Sequence, residues 1–148
     1  MLVAYRFLQL ICFIAVVVLF SCNSTEHGRD KEGVEAAMRQ YDHLLKKLDA
    51  DSIAMLYTAD GELGDKVHGR DSIRRYLASF KNIEVLSQMS TSESVELKEN
   101  AAIQKGHYNQ TALVEGKDTI KAKGEYMAYW LWTPKEGWHI RRMITKSL

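Results

Sequence analysis

Thr119-Ile120-Lys121-Ala122-Lys123-Gly124-Glu125-Tyr126-Met127-Ala128-Tyr129-Trp130-Leu131-Trp132, the loop Thr133-Pro134-Lys135-Glu136-Gly137, and Trp138-His139-Ile140-Arg141-Arg142-Met143-Ile144-Thr145 decide the fold. The two long pieces are rich in the aromatic and β-branched residues that suit a pleated, half-buried surface. Tyr126, Ala128, Trp130 and Trp132 fall on one face of a strand and Tyr129 on the other. Pro134 and Gly137 break the run, so the stretch predicts two antiparallel strands and a hairpin connection. Toward the N-terminus the same period of two predicts strands over 101–114 and 85–97, with Glu115-Gly116-Lys117-Asp118 as a turn.

Before Asn82 the period lengthens. Val34, Ala37, Met38, Tyr41, Leu44, Leu45 and Leu48 recur at intervals of three and four, which predicts a helix over 32–48 with Asp30 as its N-cap. A short second helix is expected over 51–57, capped by Asp51 and burying Ile53, Leu56 and Tyr57. Residues 58–67 read as an extended passage turning at Gly61 and Gly64. A third helix opens at Gly69-Arg70-Asp71 and buries Ile73, Tyr76, Leu77 and Phe80. Helices first and antiparallel strands after them define an α+β domain, placed at 32–148.

The chain has 148 residues, 20 Lys+Arg and 19 Asp+Glu. Residues 22–148 make one domain's worth of chain, long enough for a core without staples. The first 21 residues carry a single charge, Arg6, so the rest of the chain is balanced. That balance argues against a nucleic-acid partner, because phosphate neutralisation supplies most of such affinity.

Met1–Ser21 reads as an export signal. Its apolar run, Phe7 to Phe20, is 14 residues long, and a spanning helix needs roughly 20. The run ends in Leu19-Phe20-Ser21-Cys22, which resembles the lipobox of bacterial lipoproteins. The resemblance implies cleavage before Cys22, lipid attachment to that cysteine and anchoring in the bacterial cell envelope; two or three acyl chains hold a protein stably. Cys12 lies in the leader, so residues 22–148 contain one cysteine and no intrachain disulfide. The polar residues 22–31 are expected to form a tether.

The order of elements, with Leu48-Asp49-Ala50-Asp51-Ser52-Ile53-Ala54-Met55-Leu56-Tyr57-Thr58-Ala59-Asp60, His68-Gly69-Arg70-Asp71-Ser72-Ile73-Arg74-Arg75-Tyr76-Leu77, and Tyr129-Trp130-Leu131-Trp132 followed by Gly137-Trp138-His139-Ile140, resembles the SnoaL-like branch of the nuclear transport factor 2-like superfamily. The resemblance implies a cone, in which a strongly bent antiparallel sheet wraps three helices, and a homodimer through the sheet's outer face. It leaves function open, because such folds host isomerases, dehydratases and pure binding modules.

Similarity to the ketosteroid isomerases of that superfamily implies Asp65 as a base beside a carbonyl and Tyr41 as donor to the resulting oxyanion. The resemblance departs at the late-strand acid of those enzymes, whose place falls among Met127, Ala128 and Tyr129. Two readings follow. The first is a module binding a small apolar ligand or a protein partner, with His107, Tyr126, Trp130 and Trp138 as ligand-binding residues. The second is a cofactor-independent isomerase or dehydratase using Asp65 and Tyr41. His68, His107 and His139 show no metal-ligand spacing, so neither a metal nor a cofactor is expected. Lys117, Lys121, Lys123 and the Arg141-Arg142 pair read as solvated faces.

Overall fold

The computed structural model describes residues 28–148. The expected leader, the lipid-attachment residue Cys22 and residues 23–27 of the tether lie outside the described residues. Among those described, no helix is long and apolar enough to cross a membrane.

Helix α1 spans Lys31–Lys47. Asp30 caps it, accepting a hydrogen bond from Gly33 N at 2.7 Å. Helix α2 spans Ala50–Met55; its cap is Asp49, which accepts from Ser52 N at 3.0 Å, rather than the expected Asp51. Strands β1 (Tyr57–Leu63) and β2 (Val67–His68) form the passage that follows, and helix α3 spans Arg70–Ala78. The Arg70 guanidinium donates to Tyr57 O through Nη2 at 2.6 Å and Nε at 3.1 Å, tying the start of α3 to the start of β1. Tyr76, expected to be buried, stays 45% exposed with its ring against Phe80.

Four long strands complete the chain: β3 (Ile83–Lys98), β4 (Ala101–Val114), β5 (Asp118–Thr133) and β6 (Gly137–Ser147). The sheet order is β2-β1-β6-β5-β4-β3. Every neighbouring pair is antiparallel except β1 with β6, which runs parallel. The expected all-antiparallel sheet is therefore mixed at one junction.

Arg141 and Arg142, read from sequence as a solvated face, brace that junction. Arg141 Nη1 donates to Asp60 O at 2.9 Å and to Glu62 Oε1 at 3.1 Å. Arg142 Nε lies 3.3 Å from Glu62 Oε2, outside hydrogen-bond geometry, and its Nη2 donates to Asp65 Oδ1 at 2.7 Å.

The sheet bends at bulges, which kink a strand and sharpen its twist. Register shifts fall between Val85 and Ser87, between Ser92 and Ser94, and between Tyr129 and Trp130. Two glycines permit the close approaches this bending creates. A Cβ on Gly106 would lie 2.0 Å from Thr91 O, and one on Gly124 would lie 2.2 Å from Lys146 O. The bent sheet packs over the helices, and Val34, Ile53 and Ile73 meet Trp130 and Ile140 in a fully buried core.

Candidate functional site

Between α1 and the inner face of the sheet lies a cavity of about 210 Å³. Tyr41 and Leu45 of α1, Leu77 of α3 and Met143 of β6 form its apolar wall. Gln88 and Ser90 of β3, Gln110 of β4 and Thr145 of β6 form a polar strip, with Tyr108 and Tyr126 between the two. These positions share one sheet face because the strands are in register: Gln88 pairs with Gln110, Ser90 with Tyr108, and Tyr126 with Thr145. Apart from the tyrosine phenols, no lining side chain is titratable.

The half-buried Asp42, one residue beyond Tyr41, organises the polar strip from α1. It accepts from Ser90 N at 2.6 Å, Ser90 Oγ at 2.7 Å and Gln88 Nε2 at 3.0 Å. Gln88 Oε1 in turn accepts from Gln110 Nε2 at 3.1 Å. Three donors fix the position of the carboxylate. Asp42 thus orients Gln88, and through it Gln110, at the cavity wall.

A second polar chain lies deeper. Trp130 Nε1 donates to Gln104 Oε1 at 3.0 Å, and Gln104 Nε2 donates to Ser92 Oγ at 2.5 Å. Ser92 Oγ lies 3.4 Å from the Tyr126 hydroxyl. Gln104 has no exposed surface, so this chain satisfies its amide inside the core and steadies Tyr126 at the cavity wall.

The residues expected to carry function are not gathered in one place. Tyr41 and Tyr126 line the cavity. Trp130 is buried beneath it on Gln104. Trp138 lies at the other end of the sheet, donating through Nε1 to Gly28 O at 2.7 Å, with its ring centroid 5.3 Å from that of Trp132. His107 pairs in register with Glu125 and bonds Glu93 Oε1 through Nε2 at 2.6 Å, away from the cavity. Asp65 is not among the cavity residues; it sits in the β1–β2 turn, its side chain 78% exposed and paired with Arg142. Gly64, with φ of +62°, turns the chain just before it. Asp42, Gln88, Ser90 and Gln110 went unnoticed in the sequence. Strand alternation puts Gln88, Ser90 and Gln110 on one face of the hairpin and could have grouped them. Among the described residues no cluster of His, Cys, Asp and Glu could hold a metal ion.

Burial sets the acidity of three phenols. Burial raises the pKa of Tyr41 above the ordinary 10.0, partly offset by its interaction with the Tyr57 hydroxyl and reinforced by the Asp42 charge. Burial, and then the neighbouring Tyr41, raise Tyr57 further, and the Tyr57 hydroxyl makes no hydrogen bond of normal geometry. Burial also raises Tyr126, against a lowering by Ser92. In each case the folded pKa lies above the unfolded one. The stability these phenols contribute is therefore complete below about pH 10 and declines as pH rises beyond it. In an alkaline titration followed at 295 nm and by circular dichroism, these phenolates are expected to form only as the fold is lost. Full ionisation of every tyrosine with the fold intact would contradict the buried placement.

No protein-family model matches the chain, and no curated protein matches it. Solved structures do. A ketosteroid isomerase-like protein from Erwinia carotovora atroseptica aligns with a TM-score of 0.67 at 17% identity, covering 77% of this chain and 92% of that one. A nuclear transport factor 2-like protein with a cystatin-like fold from Novosphingobium aromaticivorans aligns at 0.66 and 18%, covering 80% and 82%. A calcium/calmodulin-dependent protein kinase II association domain, so named, from Xanthomonas campestris aligns at 0.64 and 18%, covering 78% and 85%. The chain therefore has the α+β, cystatin-like fold of nuclear transport factor 2-like proteins. Within that fold this chain has its own cavity, built of tyrosines, glutamines and an apolar wall.

Proposed function

We propose that this domain is a binding module whose cavity takes a small, mostly apolar, uncharged molecule, displayed at the bacterial cell envelope from a lipid on Cys22. The observation that carries the reading is the wall itself. It offers phenol, amide and hydroxyl groups, with Leu45, Leu77 and Met143 facing them, and neither a cation nor a carboxylate is among its lining side chains. At about 210 Å³ the cavity is smaller than the roughly 300–1,000 Å³ of sites for drug-sized ligands. Asp65, the base of the isomerase reading, faces solvent and Arg142, which favours binding over proton abstraction.

A homodimer through the outer sheet face is part of the proposal. Met127, Tyr129 and Ile144 are only half-buried there and Leu131 is 38% exposed. One neighbour in fold bears the name of an association domain.

Native mass spectrometry of the full lipoprotein, taken from its host in mild detergent, tests the proposal. The expected result is a dimer mass with a small co-purified molecule. Gln110→Leu is expected to weaken its retention roughly tenfold, the worth of one hydrogen bond at the upper end of the net range. Asp65→Asn is expected to leave retention unchanged. An empty mass together with deuterium exchange into a ketone that Asp65→Asn abolishes would replace this reading with the enzymatic one.

A further inference from the structure

The N-terminal segment is seated on the domain at one end. Gly28 O accepts from Trp138 Nε1 at 2.7 Å, and the Arg29 guanidinium donates to Glu99 O through Nε at 2.8 Å and through Nη2. Gly33 makes room for this seat, because a Cβ there would lie 1.8 Å from Gly28 O. The segment thus lies at the tips of the β3–β4 and β5–β6 hairpins, where Glu99, Asn100 and Pro134 to Glu136 are exposed and Trp132 is half-buried.

The cavity belongs to the other half of the sheet. On β4, Tyr108 and Gln110 lie seven and nine residues past Ala101, roughly 20–30 Å along a strand rising about 3.3 Å per residue. The β4–β5 turn lies further still, about 40 Å along the strand from the hairpin tips. Only six residues run from Cys22 to Gly28. Fully extended, they span at most about 22 Å.

We infer that the hairpin tips of β3–β4 and β5–β6 face the lipid bilayer and that the cavity half of the domain faces away from it. The inference rests on the reading of Cys22 as the lipid-attachment residue. A tether of that reach cannot run back along the domain and bring the β4–β5 turn to the membrane. The tips carry charges of both signs, Lys98, Glu99, Lys135 and Glu136, so a short leash rather than a basic patch holds them near the headgroups. A ligand would then enter from the aqueous side.

Energy transfer from protein to membrane measures this. The lipidated full chain is reconstituted into phosphatidylethanolamine–phosphatidylglycerol vesicles carrying a headgroup-linked acceptor. A donor dye is placed on Lys135→Cys in the β5–β6 turn or on Lys117→Cys in the β4–β5 turn. Acylation blocks Cys22, so each new cysteine is the labelling site. Transfer is expected to be several-fold stronger from position 135 than from 117. Inserting twenty Gly/Ser residues between Thr25 and Glu26 is expected to remove most of that difference, since the longer leash lets the domain tumble. Equal transfer from the two positions in an acylated protein, or a difference that survives the insertion undiminished, overturns the orientation. A Cys22 peptide without acyl mass overturns the anchoring reading and the orientation with it.

Discussion

Gly106→Ala is expected to destabilise the domain by about 3 kcal/mol, at the upper end of the overpacking range. The added Cβ would meet Thr91 O at 2.0 Å and Tyr126 Cε1 at 2.9 Å. The first contact is with backbone held in the β3–β4 ladder, so it cannot be relieved by rotating a side chain. Gly106 pairs with Ser92, next to the register shift at which Glu93 bulges out of β3. Relief requires the bend itself to open, which would also displace Tyr126 from the cavity wall. Thermal unfolding is expected to show a loss of roughly 10 °C in Tm for a domain of this size. A loss of only a degree or two would mean that the bulge shifts freely and that the bend is not fixed at this glycine.

Gln104→Leu is expected to cost about 2 kcal/mol although leucine restores most of the lost volume. The substitution strands Trp130 Nε1 without its acceptor and Ser92 Oγ without its donor, in a core where Gln104 is 0% and Trp130 1% exposed. A buried group left unpaired costs about 1–3 kcal/mol. Pairing the substitution with Trp130→Phe removes the stranded indole donor. The double variant should therefore fall short of the summed single costs by about 1 kcal/mol, and urea denaturation of the four proteins measures that coupling. Strictly additive costs would show that the Gln104–Trp130 bond carries no energy of its own.

The four hairpin-connected strands of the C-terminal half were legible because their information is local. Period-two alternation gives the strands, and Gly116 or Pro134 with Gly137 gives the turns. The same locality gave α1 and α3 to within a residue or two. The parallel pairing of β1 with β6 has no such signature: Tyr57 meets Ile140 across most of the domain's length, and Asp60-Gly61-Glu62 reads like a loop until Arg141 and Arg142 are placed beside it. The site was legible only in part. Tyr41 lies on the apolar stripe of α1, which periodicity points inward; Tyr126 shares one face of β5 with Trp130, and packing against the helices rather than periodicity sets that face inward. His107 lies on the opposite parity from Tyr108, and the β4–β5 register sets it beside Glu125 on the outer face. Asp65 came from the resemblance to the isomerases, and a resemblance of sequence does not say which way a turn aims its side chain. Asp42 has no local signal, because its partners, Ser90 and Gln88, come from a strand more than 40 residues away.

The parallel junction of β1 with β6 also governs the order in which the chain can close. Strands β3 to β6 are sequential hairpins, each able to pair as soon as its neighbour exists. Strand β1 leaves the nascent chain early, yet among the described strands its long partner is β6, which follows all the others. Until β6 arrives, β1 has among the described strands only the two-residue β2 to pair with, and the helices behind it have an incomplete sheet to pack on. Such long-range closures are slow and expose strand edges while they wait. Under the proposed export, N-terminus first, the fold would be completed only once the eleven-residue β6 had crossed. A truncation within β6 would leave the early half of the protein as unfinished as the late half.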